Sequence, residues 1–194
     1  GDVYKRQHGE IAGLSIGLLG FGHIGKAIAR RAKAFDMRVL VANRTPVLNP
    51  ELVDASYRLD DMDGFWQMSD AIVTSLPLTP ETKGLVGATA FAKMKKSAVI
   101  INVGRGAVID ETALYEALNG QKIGGAIIDT WYQYPFAEKT ETLPAQQPFH
   151  TLPNIVMTPH MSGWTEGTIQ RRRETIAENI NRLARGEALI NQIR

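Results

Sequence analysis

The sequence contains no cysteine, which excludes both a disulfide framework and thiolate chemistry. Neither charge is in marked excess: 22 Lys and Arg against 20 Asp and Glu leave +2, so the balance argues for neither a nucleic-acid nor a membrane partner. No apolar run approaches the ~18 residues that a membrane helix needs, and no signal-peptide pattern opens the chain. A cytoplasmic location is the resulting expectation. Aromatic residues make up only 7% of the chain, but 44% hydrophobic and 22% charged residues give the profile of an ordinary globular protein. At about 150 residues per domain, 194 residues amount to one domain with something left over.

Short apolar stretches recur at Ser15 to Leu19, Arg38 to Ala42, Ala71 to Ser75, Ala98 to Val103, Gly125 to Asp129 and Ile155 to Met157. Strands of this kind, separated by helices, predict a parallel sheet covered on both faces, an α/β doubly wound fold. The helix from Ile24 to Phe35 is expected to turn Ile24, Ala27, Ile28, Ala32 and Phe35 inward. Asp110 reads as the cap of a helix from Glu111 to Asn119, with Gly120 as its stop. Leu143 to Pro153 reads as a loop. Thr165 to Arg185, ended by Gly186, reads as one long helix after the last strand.

Gly20-Phe21-Gly22-His23-Ile24-Gly25 fits GxGxxG at the end of a strand and the start of a helix. In that context the glycines permit a tight turn, a close approach of backbone to a pyrophosphate, and tight helix–strand packing. The pattern is that of a Rossmann dinucleotide-binding domain, with Gly20, Gly22, His23, Ile24 and Gly25 at the cofactor. A free ribose 2′-OH calls for an acidic residue about 20 positions on, where this chain has Asn43, Arg44 and Thr45. Asn43 does not repel a 2′-phosphate and Arg44 is able to bind one, which favours NADP over NAD.

Three further strings carry chemistry: Asn102-Val103-Gly104-Arg105-Gly106, Asp129 at a strand end, and Thr158-Pro159-His160-Met161-Ser162-Gly163. With these, and with Leu76-Pro77-Leu78-Thr79-Pro80-Glu81-Thr82, the chain from about Gly9 to Thr165 resembles the D-isomer-specific 2-hydroxyacid dehydrogenases. The resemblance implies hydride transfer between NAD(P)H and a small 2-keto or 2-hydroxy acid. It makes Arg105 the residue that holds the substrate carboxylate and carbonyl. It makes His160 the general acid in reduction and the base in oxidation, imidazole being the side chain that exchanges a proton near neutral pH. Asp129 would accept a hydrogen bond from the nicotinamide carboxamide, while Leu76, Pro77, Thr82, Val103, Gly104 and His160 would line the cofactor. No metal site is read from the sequence.

The chain departs from the family where most members carry the Glu that pairs with the catalytic His; here that position holds Tyr134, followed by Pro135. A carboxylate favours the imidazolium, whereas a phenol can only orient the ring. Tyr134 is therefore expected to replace the Glu, and reduction to fall off earlier as pH rises. Formate dehydrogenases of the same superfamily also lack this Glu, which makes formate a competing substrate, and a nucleotide-sensing corepressor of this fold is a second competitor. Trp131, Tyr132, Tyr134 and Trp164 either wall a substrate pocket or serve ordinary packing.

Asp2-Val3-Tyr4-Lys5-Arg6-Gln7 does not look like the family and resembles the translation of a widely used transposon-end sequencing adapter. Residues 1–7 are thus read as an artefact, 8–162 as the dinucleotide-binding domain, and 163–194 as the C-terminal helical remnant of a mostly missing substrate domain. By that reading the full-length protein is a homodimer. The chain alone would bind cofactor, be nearly inactive, and expose apolar surface along its last helix.

Overall fold

The computed structural model describes residues 9–49, 51–136 and 142–192; the expectation for residues 1–7 lies outside them. The chain divides into two compact units, Gly1–Pro159 and His160–Arg194.

The first unit is built on a seven-stranded sheet of β1 (Ser15–Leu19), β2 (Arg38–Asn43), β3 (Ala55–Arg58), β4 (Ala71–Thr74), β5 (Val99–Asn102), β6 (Gly125–Ile128) and β7 (Ile155–Met157). All neighbours are parallel, in the order β3-β2-β1-β4-β5-β6-β7. Strand order reverses beside β1, and in such sheets ligands bind at the carboxyl edge of that switch point. The register aligns this edge closely. Ala42, Leu19, Thr74, Asn102, Ile128 and Met157 form one row across six strands. The residues that leave the row therefore emerge side by side: Asn43, Gly20, Ser75, Val103, Asp129 and Thr158.

Because alternate residues of a buried strand face opposite sides, the strands feed two cores. Ile16, Leu18, Val39, Val41 and Val73 pack beneath α1 (His23–Ala34). Leu19, Leu40, Ile72 and Ile100 pack with residues of α2 (Asp63–Met68), α3 (Ala88–Lys93) and α4 (Glu111–Asn119) on the other side. The inner face of α1 differs from the expected one: Gly25, Ala29 and Ala32 are buried, whereas Ile24 and Phe35 are exposed. Small residues win because the helix lies close on the sheet, so close that a Cβ on Gly25 would stand 2.4 Å from the Gly20 carbonyl oxygen. Asp110 caps α4 as expected, accepting from the Ala113 N–H at 2.8 Å, and Gly120 follows the helix. The stretch from Leu143 to Pro153 contains one 3-10 turn, Phe149–Thr151.

The second unit holds α5 (Glu166–Ala184), capped by the Thr165 hydroxyl, which accepts from the Thr168 N–H. None of the residues of α5 is buried, and Ile176, Ile180 and Leu183 form an exposed stripe along it. Among the described residues no helix is long and apolar enough to cross a membrane.

Candidate functional site

At the end of β1, Gly20 turns at φ +95°, and its N–H donates to the Ala42 carbonyl at 2.9 Å. Only glycine adopts such a turn without strain. Two residues on, a Cβ on Gly22 would meet nothing within 4 Å: the backbone there faces open space at the start of α1. That helix has no side-chain cap and no acidic residue in its first turn, so the amides around His23 and Ile24, both exposed, form an electropositive end suited to a phosphate. Tight turn, open approach and close packing thus fall on Gly20, Gly22 and Gly25 in turn, the geometry that a dinucleotide pyrophosphate requires.

Beside this turn lies a cleft of about 530 Å³ that brings Asn43, Arg44 and Thr45 together with Leu76, Pro77 and Thr82. The Asn43 amide donates to the Thr45 carbonyl at 3.1 Å and so shapes the turn that presents Arg44. Thr82 is buried and serves the loop itself: its hydroxyl accepts from the Thr79 N–H at 2.8 Å and donates to the Pro77 carbonyl at 2.7 Å. Arg58, Asp60 and Glu81 also line the cleft; of these only Glu81 stands in a string singled out in the sequence. Glu81 is held below the usual carboxylate range by hydrogen bonds from Thr79 and its own backbone, with Arg44 adding attraction.

At the end of β5, Asn102 is 1% exposed. Its Oδ1 accepts from the Gly104 N–H at 3.0 Å and its Nδ2 donates to the Arg105 carbonyl at 3.1 Å. Gly104 packs against the Leu76 backbone, and Val103 donates its N–H to the Thr74 carbonyl. Arg105 is thereby presented, exposed, on a braced loop, with a guanidinium N–H donating to the Gly104 carbonyl at 2.8 Å.

Asp129, 3% exposed, follows β6 and accepts a 2.6 Å hydrogen bond from the Thr158 hydroxyl at the end of β7. The Thr158 carbonyl in turn accepts from the Trp131 indole N–H at 2.8 Å. Asn102 and Thr158 open two of the strings singled out in the sequence, but their positioning role was not read there. The local signal is a polar residue where an apolar strand run ends.

The aromatic cluster divides. Trp131 is buried edge-on against Phe149, and Tyr132 stacks on the same ring; burial raises the Tyr132 phenol above its ordinary range, reinforced by Glu111 and Asp110. Both rings pack, and Trp131 also walls a cavity. Tyr134 and Trp164 are exposed. The Tyr134 hydroxyl accepts from the Trp131 N–H at 2.9 Å, a role it can combine with donating its own proton. Tyr134 also lines a largely apolar cavity of about 460 Å³ with Trp131, Pro135, Pro144, Met157 and Pro159. His160 opens the second unit at φ +55°, a left-handed conformation uncommon for a residue with a Cβ.

A sequence model described as the D-isomer specific 2-hydroxyacid dehydrogenase, NAD binding domain, matches residues 2–162. The chain is similar to a D-3-phosphoglycerate dehydrogenase of Methanocaldococcus jannaschii, 35% identical over 186 residues, which are 95% of this chain and 34% of that protein. It is 36% identical to a glyoxylate reductase of Thermofilum pendens over 94% of this chain and 53% of that protein. Among solved structures, it resembles a D-isomer specific 2-hydroxyacid dehydrogenase from Xanthobacter autotrophicus Py2 in complex with NADPH and MES, with a TM-score of 0.84 and 33% identity over 98% of this chain and 75% of that one. The chain thus spans between a third and about half the length of these two curated relatives.

Proposed function

The chain belongs to the D-isomer specific 2-hydroxyacid dehydrogenase family through its NAD binding domain, and from that premise we propose that the whole protein transfers hydride between NAD(P)H and a small 2-keto or 2-hydroxy acid. The observation that carries this reading is the aligned carboxyl edge, from which Asn43, Gly20, Val103 and Asp129 emerge side by side. A bound reduced nicotinamide supplies the hydride; the chain supplies orientation, charge and a proton.

Arg105, exposed on its braced loop, binds the acid's carboxylate and polarises the carbonyl, a permanently charged planar fork being suited to both tasks. Asp129, a buried carboxylate fixed by Thr158, would hold the carboxamide of a bound nicotinamide by accepting its N–H. His160 gives its proton to the developing alkoxide in reduction and takes it back in oxidation. Its left-handed backbone supports a functional role, since such strain is retained where function needs it. Tyr134, its phenol oriented by the Trp131 N–H, takes the place of the Glu that most family members carry.

The cofactor is NADP rather than NAD: the turn after β2 carries Asn43 and Arg44 and no acid. In the same reading residues 8–162 are the dinucleotide-binding domain and 163–194 belong to the substrate domain of a cytoplasmic homodimer. A panel of 2-keto acids with NADPH, alongside formate with NADP, tests the assignment. Turnover with glyoxylate, hydroxypyruvate or a bulkier keto acid is expected; reduction of NADP by formate, with no keto acid accepted, would overturn it.

A further inference from the structure

The cleft at the end of β2 holds a second cation whose role the fingerprint does not explain. Arg58 ends the edge strand β3 and pairs in register with Asn43, so it stands one strand further out at the level where Arg44 begins its turn. Both arginines line the same cleft. The Arg58 backbone is fixed by a tight reversal in which the Asp61 N–H donates to the Arg58 carbonyl at 3.1 Å. Its guanidinium is forked onto Asp60, Nε to Oδ1 and Nη2 to Oδ2, each at 3.0 Å. Both side chains are well exposed, at 58% and 67%, and an ion pair so open to water holds its partners only weakly.

From this arrangement, and resting on the reading that Arg44 receives an adenosine 2′-phosphate, we propose that Arg58 is a second 2′-phosphate ligand and that Asp60 competes with the phosphate for it. The fork that fits a carboxylate also fits a phosphate, which brings more charge and more acceptor oxygens. Exchanging Asp60 for the phosphate keeps the guanidinium paired throughout. Arg44 has its own nearby carboxylate in Glu81, so both cations of the cleft are balanced by acids, and the phosphate must outcompete them. An uncharged ribose 2′-OH gains nothing from Arg58. The residue thus acts on the choice between the two dinucleotides rather than on binding in general.

Equilibrium titration of the chain with NADPH, NADH and adenosine 2′,5′-bisphosphate tests this without any turnover. Arg58→Ala is expected to weaken NADPH and the bisphosphate by ~10-fold and NADH by less than ~2-fold, as loss of one charge-assisted contact implies. Asp60→Asn is expected to tighten both phosphate-bearing ligands, and that gain should shrink in the Arg58→Ala background, where the competition no longer exists. If Arg44→Ala selectively weakens NADPH while Arg58→Ala does not, the role of Arg58 is refuted and the NADP reading stands. If the unaltered chain prefers NADH and Arg44→Ala makes no selective difference, the NADP reading falls and the proposal with it.

Discussion

The side chain of Asn102 holds the main chain of Arg105: its Nδ2 donates to the Arg105 carbonyl while its Oδ1 accepts from the Gly104 N–H. Both bonds are made by a buried amide at the last position of a central strand. The arginine that meets substrate in the proposed reaction is therefore set by a residue that touches none. Asn102→Ala is expected to lower stability by about 1–3 kcal/mol, because it strips the buried Gly104 N–H and the Arg105 carbonyl of their shared partner. It should also raise the KM for a keto acid while leaving the Kd for NADPH within about twofold. Asn102→Asp, which keeps the acceptor and loses the donor, should fall between. Chemical denaturation and steady-state kinetics on the same samples check the three together.

Gly22 and Gly25 separate binding from folding. A methyl group at Gly25 would stand 2.4 Å from the Gly20 carbonyl oxygen, whereas one at Gly22, at φ −77°, projects into open space. Gly25→Ala is expected to cost about 1–3 kcal/mol as overpacking against backbone. Gly22→Ala should leave the melting temperature nearly unchanged yet weaken both NADPH and NADH by ~10-fold or more, by blocking the approach of the pyrophosphate. Thermal melts beside dinucleotide titrations distinguish the two effects.

Acid should release a brace at the opposite edge of the sheet. Asp70 accepts from the Ser15 N–H at 2.9 Å and from Lys95 at 2.7 Å. Burial opposes its ionisation, but Lys95 and the Ser15 N–H outweigh it, and the carboxyl lies below its ordinary value. A folded-state pKa below the unfolded one gives stability that is present above the unfolded value, about 4, and is lost as pH falls through the lowered folded value. Asp70→Asn is expected to cost about 1 kcal/mol at neutral pH, a figure kept small because Lys95 is partly exposed. The difference from the unaltered chain should vanish in strong acid, where the protonated carboxyl resembles the amide. Urea unfolding at a series of pH values reads it directly.

How much of this was legible depended on how locally each feature is encoded. β1 and β7 occupy the expected residues, since each is an unbroken or nearly unbroken run of apolar side chains that needs no partner to be recognised, although only β1 is buried along its length. The cap at Asp110 is likewise written within four residues of sequence. β3 is not legible in the sequence because Ala55-Ser56-Tyr57-Arg58 is an edge strand with alternating exposure, and Arg58 is hidden with it. α2 and α3 have six residues each, too few to show a helical period. Thr158 braces Asp129 across 29 positions, a relation that only the folded sheet creates. The inner face of α1 differs from the one apolar size predicts, because close approach selects the smallest residues.

The most direct test of hydride transfer to a 2-keto acid uses NADPH carrying deuterium at the transferring C4 position of the nicotinamide, with the whole protein and glyoxylate or hydroxypyruvate, and mass spectrometry of the product. The account predicts a 2-hydroxy acid with one deuterium on C2, formed at a rate that Arg105→Ala or His160→Ala lowers by ~100-fold or more. Consumption of NADPH without deuterium in the hydroxy acid, or labelled product that forms equally fast without Arg105, would contradict it.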